Sequence, residues 1–291
     1  MDWIEFDAAA QELRVLNLIF WKDGREWRRD YDGEIRRNVY SASKSFTSAA
    51  VGIARREGLL SLEEKLTDAF PGDLPEAPCA HLRQARVRDL LTMCLGMEKP
   101  LLMGEERPFL AERDWVKYCL AQPFSHAPGT EFLYSNAGPY LAGVLVQRRA
   151  GCTLADYLRP RLFQPLGIEN PLWETDPMGL TFGAGGLFLC TSELLKFGLL
   201  LLQNGSWGGR QLIPRDYLAE ATGKRVENGA EGYGYLFWRG KHHSYRADGK
   251  YGQYALVVPE ENAVLAVSAE CHRQGDLLEF LMEHWDWMKE R

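Results

Sequence analysis

A serine and a lysine three residues apart, Ser41 and Lys44 in Tyr40-Ser41-Ala42-Ser43-Lys44-Ser45-Phe46-Thr47, supply the parts of a nucleophile that needs no histidine. The run Ala49-Ala50-Val51-Gly52-Ile53-Ala54 follows directly. A helix beginning near Ser41 puts hydroxyl and amine on one face, at the positive end of the helix dipole. The amine can take the Ser41 proton only while it is neutral, and a free lysine with a pKa of ~10.4 seldom is at pH 7. Burial and the helix N-terminus both lower that value. The helix start also leaves backbone N–H groups unpaired, and that of Ser41 can face a developing oxyanion. A plainer reading competes with this one, because serine is a favoured helix N-cap and a lone S-x-x-K is a weak signal.

A second set of polar groups is Tyr134-Ser135-Asn136, where a Pro128-Gly129 turn precedes an extended stretch and a helix is expected from about Pro139. By itself Y-x-N reads equally as a buried tyrosine beside an asparagine cap. No serine lies in a G-x-S-x-G elbow, which disfavours an α/β-hydrolase with a histidine partner.

The order and context of these motifs resemble the serine β-lactamase, penicillin-binding protein and esterase superfamily, its class C branch most closely. Supporting stretches include Val87-Arg88-Asp89-Leu90-Leu91-Thr92-Met93 with Gly96, Tyr140-Leu141-Ala142-Gly143-Val144-Leu145, Phe163-Gln164-Pro165-Leu166-Gly167-Ile168, and Gly185-Gly186-Leu187 before Thr191-Ser192-Glu193-Leu194. The resemblance implies that Ser41 is acylated, that Lys44 and Tyr134 share the proton transfers, and that Asn136 orients the lysine and the substrate's amide or carbonyl. In place of the K-T-G or H-x-G of such proteins this chain has Arg246-Ala247-Asp248-Gly249-Lys250. Aligned on Gly249, Ala247 stands where a cation is usual and Asp248 where Thr, Ser or Gly is usual. The Lys250 N–H still completes an oxyanion hole with that of Ser41, since the hole uses main chain. A carboxylate at Asp248 either repels a substrate carboxylate in the cleft or forms a structural ion pair with Arg246 or Lys250, its neighbours on one strand face.

Composition narrows the function classes. With 291 residues, 46% hydrophobic and 25% charged, the chain can bury a large core. Its net charge of −6 and lack of a basic stripe argue against a nucleic-acid partner. The first residues lack the basic start and apolar core of a secretory leader, so a cytoplasmic protein is expected, and no apolar run is long enough for a membrane span. The six cysteines form no C-x-x-C pair and are read as reduced, mostly buried thiols. The six histidines form no H-x-x-x-H pair, and His242-His243 is placed at an exposed strand end. No metal and no organic cofactor are expected, and oligomeric state is left open.

The elements that must position these groups come from both ends of the chain. An extended run over residues 13–21 and a second after Asp23-Gly24 predict a hairpin, and residues 35–40 a short extended piece leading to Ser41. Helical periodicity dominates from residue 61 to about 222. Strands are expected over 233–238, 243–248, 253–258 and 263–269, then an amphipathic helix over 276–289. The fold class is therefore α/β (α+β). The implied β-lactamase/transpeptidase-like fold has one discontinuous α/β lobe, 1–60 with 230–291, and an inserted helical lobe, 61–229. Two loops, 101–109 and 171–182, are expected to shape the cleft, with Phe109, Trp173 and Phe182 as either acyl-pocket or core residues.

The function expected from the resemblance is a serine hydrolase working through an acyl-enzyme on a small-molecule acyl substrate. Esterase or amidase action on a neutral or cationic acyl compound ranks ahead of β-lactamase or D-amino-acid peptidase activity. A catalytically silent ligand-binding homologue is the reading from another class.

Overall fold

The computed structural model describes residues 3–289. Met1 and Asp2, the start of the segment read above as lacking a leader, lie outside the described residues. One antiparallel sheet contains β1 (Val15–Lys22), β2 (Arg25–Asp30), β3 (Trp238–Arg239), β4 (Tyr245–Gly249), β5 (Gln253–Val258) and β6 (Ala263–Ala269), in the order β2-β1-β6-β5-β4-β3. The two chain ends meet where β1 pairs with β6, Ile19 opposite Ala266. Asp23 and Gly24 close the β1–β2 hairpin with φ of 50° and 85°, the left-handed pair that a two-residue turn between twisted strands requires.

β5 and β6 are buried along their whole length because both faces of the sheet are covered. On one face Leu18, Phe20, Leu256, Leu265 and Val267 pack against three helices, α1 (Trp3–Glu12) and the C-terminal pair described below. The sequence reading assigns no helix to the first of these. Only Phe6 and Ala10 of α1 are buried, too short a stripe to stand out. On the other face Ile19, Ala255, Val257, Val264 and Ala266 share a core with α2 (Ser43–Arg56), α3 (Ala137–Ala150) and α4 (Thr191–Leu202). Phe46 of α2 stacks on Phe197 of α4 with ring centroids 3.8 Å apart. Truncating so enclosed a ring costs about 3–5 kcal/mol.

Buried from Ser43 to Ala54, α2 accommodates its polar residues by pairing them with the loops and the helix packed around it. Ser45 Oγ donates to Leu236 O at 2.8 Å, Thr47 Oγ1 donates to Gly183 O at 2.7 Å, and Ser48 Oγ meets the Tyr217 hydroxyl at 3.0 Å. These bonds, each worth about 1 kcal/mol, fix the helix against the elements around it.

Three element expectations need correction. The stretch 233–238 is not a strand: Leu236 adopts φ of 65°, which breaks the extended run, Tyr233 makes only isolated bridges to Val226 and Trp238, and the sheet strand starts at Trp238. The C-terminal helix is two, α5 (Gln274–Glu283) and α6 (Trp285–Lys289), interrupted at His284. Of the cysteines only Cys94, Cys119 and Cys271 are buried. Cys79 and Cys152 are exposed, Cys190 lies between, and all six are free. His242 and His243 are exposed in the turn before β4, as expected. Among the described residues no cluster suits a metal ion, and no helix is long and apolar enough to cross a membrane.

Candidate active site

Ser41 sits in a single 3-10 turn, Tyr40–Ala42, immediately before α2. The α-helix therefore starts at Ser43, two residues later than the sequence suggests. Tyr40 has φ of 46°, an unfavourable conformation for a tyrosine, and its N–H donates to Asn38 Oδ1 at 2.7 Å. Such a residue costs on the order of 1–3 kcal/mol and has to be held by its surroundings. Ser43 does part of the holding: its Oγ donates to Tyr40 O at 2.6 Å and accepts from the Leu187 N–H at 3.1 Å.

Lys44 lies one turn deeper and is only 1% exposed. Its Nζ is 2.8 Å from Ser41 Oγ, 2.7 Å from Asn136 Oδ1 and 2.7 Å from Ala184 O. Asn136 Nδ2 donates to Leu102 O at 2.8 Å, so Oδ1 is the atom that faces the amine. Two of the three partners of Nζ can only accept, while the third, a hydroxyl, can donate. That set matches a neutral amine, with two N–H donors and one lone pair for the Ser41 proton. Burial is the main cause that brings Lys44 from 10.5 down to about 7. The positive charge of Arg107 adds to it and the Asp248 carboxylate opposes it.

Tyr134 hydrogen-bonds the Ser41 side chain from the other side, and its ring lies 5.1 Å from Lys44 Nζ. Burial pushes the phenol above its usual value of 10. The Ser41 bond opposes this and the Asp248 charge reinforces it. The phenol is thus a proton donor and not a base at neutral pH. Trp238 packs on it at 5.5 Å with an interplanar angle of 31°.

The third motif lies on β4. Ala247 points into the core, fully buried, while Arg246 and Asp248 are half-buried on the cleft side. Arg246 Nε donates to Asp248 Oδ2 at 2.7 Å. The alternatives posed for Asp248 therefore coincide, since the carboxylate lines the cleft and is ion-paired at once. Burial raises its pKa even against Arg246 and Lys44. Gly249 allows the close approach of the strand to the turn bearing Ser41, because a Cβ there would lie 2.1 Å from Val39 O. Lys250 follows the last paired residue, Gly249, and borders the cleft.

The cleft has a volume of about 380 Å³, and Ser41, Tyr134, Asn136, Asp248 and Lys250 all line it. Lys44 lies beneath its floor, and Gly249 behind its wall. Of the aromatics expected from the two loops, Phe182 borders the cleft, Trp173 is core and Phe109 is exposed on the surface. Sequence reasoning missed Arg107, Glu174, Trp238 and Gln274, which also line it, and the Ala184 carbonyl. The glycines flanking Ala184 were the only signal for the last; Arg107 lies in the 101–109 loop expected to shape the cleft but was not singled out within it.

Comparison with known proteins places the chain. The family model named Beta-lactamase matches residues 4–276, and the chain belongs to this family of serine hydrolases. Among curated relatives, a β-lactamase of Yersinia enterocolitica is 28% identical over 133 residues, covering 45% of this chain and 32% of its own length. The monacolin J acid methylbutanoyltransferase of Aspergillus terreus is 32% identical over 150 residues, covering 45% and 36%. The aligned segments thus span about a third of these relatives. In structure, a candidate 6-aminohexanoate-dimer hydrolase from Bacillus anthracis superposes with a TM-score of 0.81 at 18% identity, over 98% of this chain and 82% of that one. The antiparallel sheet with its flanking helices is the β-lactamase/transpeptidase fold expected above.

Proposed function

We propose that this protein hydrolyses small acyl esters or amides through an acyl-enzyme on Ser41. The observation that carries the reading is a buried lysine, near neutrality at pH 7, with the Ser41 hydroxyl as the only one of its three partners able to donate to it. Neutral Nζ takes the proton as Ser41 Oγ attacks the carbonyl carbon. The N–H groups of Ser41 and Lys250 receive the oxyanion. Collapse of the tetrahedral species expels the alcohol or amine, protonated from the Lys44 ammonium by way of the Tyr134 hydroxyl. Water then attacks the ester with the same base, releasing the acid and restoring Ser41.

The relative named as a methylbutanoyltransferase supports acyl-group chemistry, and the one named as a β-lactamase supports amide opening. Asp248 on β4 opposes an anionic substrate group beside it, the ground for the neutral or cationic acyl compound expected above. This is why esterase or amidase action ranks ahead of β-lactam or D-amino-acid peptide hydrolysis, although Arg246 offsets part of that charge. A panel of p-nitrophenyl esters, D-aminoacyl amides and nitrocefin tests the reading. Turnover of esters or amides exceeding that of nitrocefin is the expected result. Binding without turnover of any of them would favour a silent ligand-binding homologue.

A further inference from the structure

We propose that Arg107 reads a carboxylate on the acyl portion of the substrate, so that the preferred donors are ω-carboxyacyl esters or amides. This rests on the Ser41 hydrolase reading above and names its substrate class, replacing the neutral or cationic acyl compound expected from Asp248 by an anionic acyl chain directed away from that carboxylate.

Arg107 borders the cleft with its guanidinium 4.2 Å above the Phe182 ring, which sets the plane of the fork. Its Nε is buried and has no acceptor, and its side chain makes no hydrogen bond among the described residues. Glu174 forms an ion pair with it at 3.8 Å, beyond hydrogen-bond reach, so the charge is partly balanced while Nε stays without an acceptor. A buried guanidinium N–H left unmatched is costly, and a carboxylate is the partner its planar fork accepts best.

The loop bearing Arg107 is built into the catalytic floor. Its N–H donates to Met103 O at 3.0 Å, Leu102 O accepts from Asn136 Nδ2, and the Asn136 N–H donates to Leu101 O at 3.2 Å. Arg107 is therefore held in register with the residue that orients Lys44. It also stands apart from the leaving-group side. Tyr134, which protonates the departing group, packs on Trp238, and Trp238 pairs with Arg246 of β4 beside Asp248. A substrate with its leaving group toward Tyr134 and Asp248 extends its acyl chain toward Phe182 and Arg107.

The test compares kcat/KM for monomethyl succinate, glutarate and adipate with methyl butyrate, valerate and hexanoate, followed by methanol release. Acetoxyacetate, with its carboxylate on the alcohol side and its hydrolysis followed by acid release in a pH-stat, is the control. The best carboxyacyl ester should exceed its neutral match by tenfold or more. Arg107→Gln should lower that ratio at least tenfold, and Arg107→Lys should restore part of it. The use of a ratio cancels any effect of Arg107 on the base. An unchanged ratio in R107Q, or a preference for acetoxyacetate, overturns the assignment while leaving the hydrolase reading intact. If neither ester class is turned over and a fluorophosphonate leaves Ser41 unlabelled, the hydrolase reading fails and this assignment falls with it.

Discussion

If Lys44 is the base, kcat/KM for a neutral ester must follow the neutral amine. Lowering pH protonates Nζ, so activity is lost on the acid side and retained on the alkaline side. With Lys44 at about 7 instead of 10.5, half of the enzyme carries a usable base at pH 7. An unperturbed amine would leave roughly one molecule in 3,000. The rate constant should therefore rise about 5-fold from pH 6 to pH 7, about 2-fold from pH 7 to pH 8, and then level off. Because Tyr134 lies above its usual 10, no fall is expected below that pH. The charges of the cleft give the sign of two further changes. Arg107→Gln removes a cation and should move the midpoint up, whereas Asp248→Asn removes an anion and should move it down. Initial rates across pH 5.5–9.5, corrected for spontaneous hydrolysis, decide the matter. A tenfold rise per pH unit continuing to pH 9, or a midpoint that falls in Arg107→Gln, would refute the assignment of Lys44 as a desolvated base.

Other outcomes follow from the same geometry. Lys44→Ala should cost at least 10³-fold in kcat, more than Tyr134→Phe, because burial keeps the phenol protonated at neutral pH; rates of the two variants check this. Gly249→Ala should lower activity by tenfold or more and also lower the melting temperature, since its Cβ would stand 2.1 Å from a backbone carbonyl that cannot yield easily; calorimetry and ester turnover read both. Ser43→Ala should keep a functional nucleophile yet destabilise by about 1–2 kcal/mol in denaturant melts, because the Tyr40 turn loses its clamp.

Much of the fold was written in local pattern. β5 and β6 match their expected bounds because each is a continuous apolar run set off by the turn at residues 259–262. Asp23-Gly24 named its own hairpin for the same kind of reason. The stretch 233–238 misled because its aromatics suit a strand, while Leu236 takes a left-handed conformation fixed by tertiary contacts. At the site, Ser41, Lys44, Tyr134 and Asn136 were legible as motifs, and the structure brings their side chains together. The double nature of Asp248 could not be read, since strand alternation puts it beside Arg246 without saying which face meets the cleft. Within the 101–109 loop Arg107 could not be singled out, because its place depends on loop hydrogen bonds to Asn136, 29 residues later in the chain.

The claim on which the rest depends is that Ser41 carries the acyl group. Intact-mass spectrometry after brief exposure to a fluorophosphonate or p-nitrophenyl acetate, with peptide mapping, measures it directly. One adduct per chain on the peptide containing Ser41, absent in Ser41→Ala and slow to form in Lys44→Ala, is the expected result. Modification of Ser43 or of a serine outside the cleft, or an equal adduct in Ser41→Ala, would contradict it.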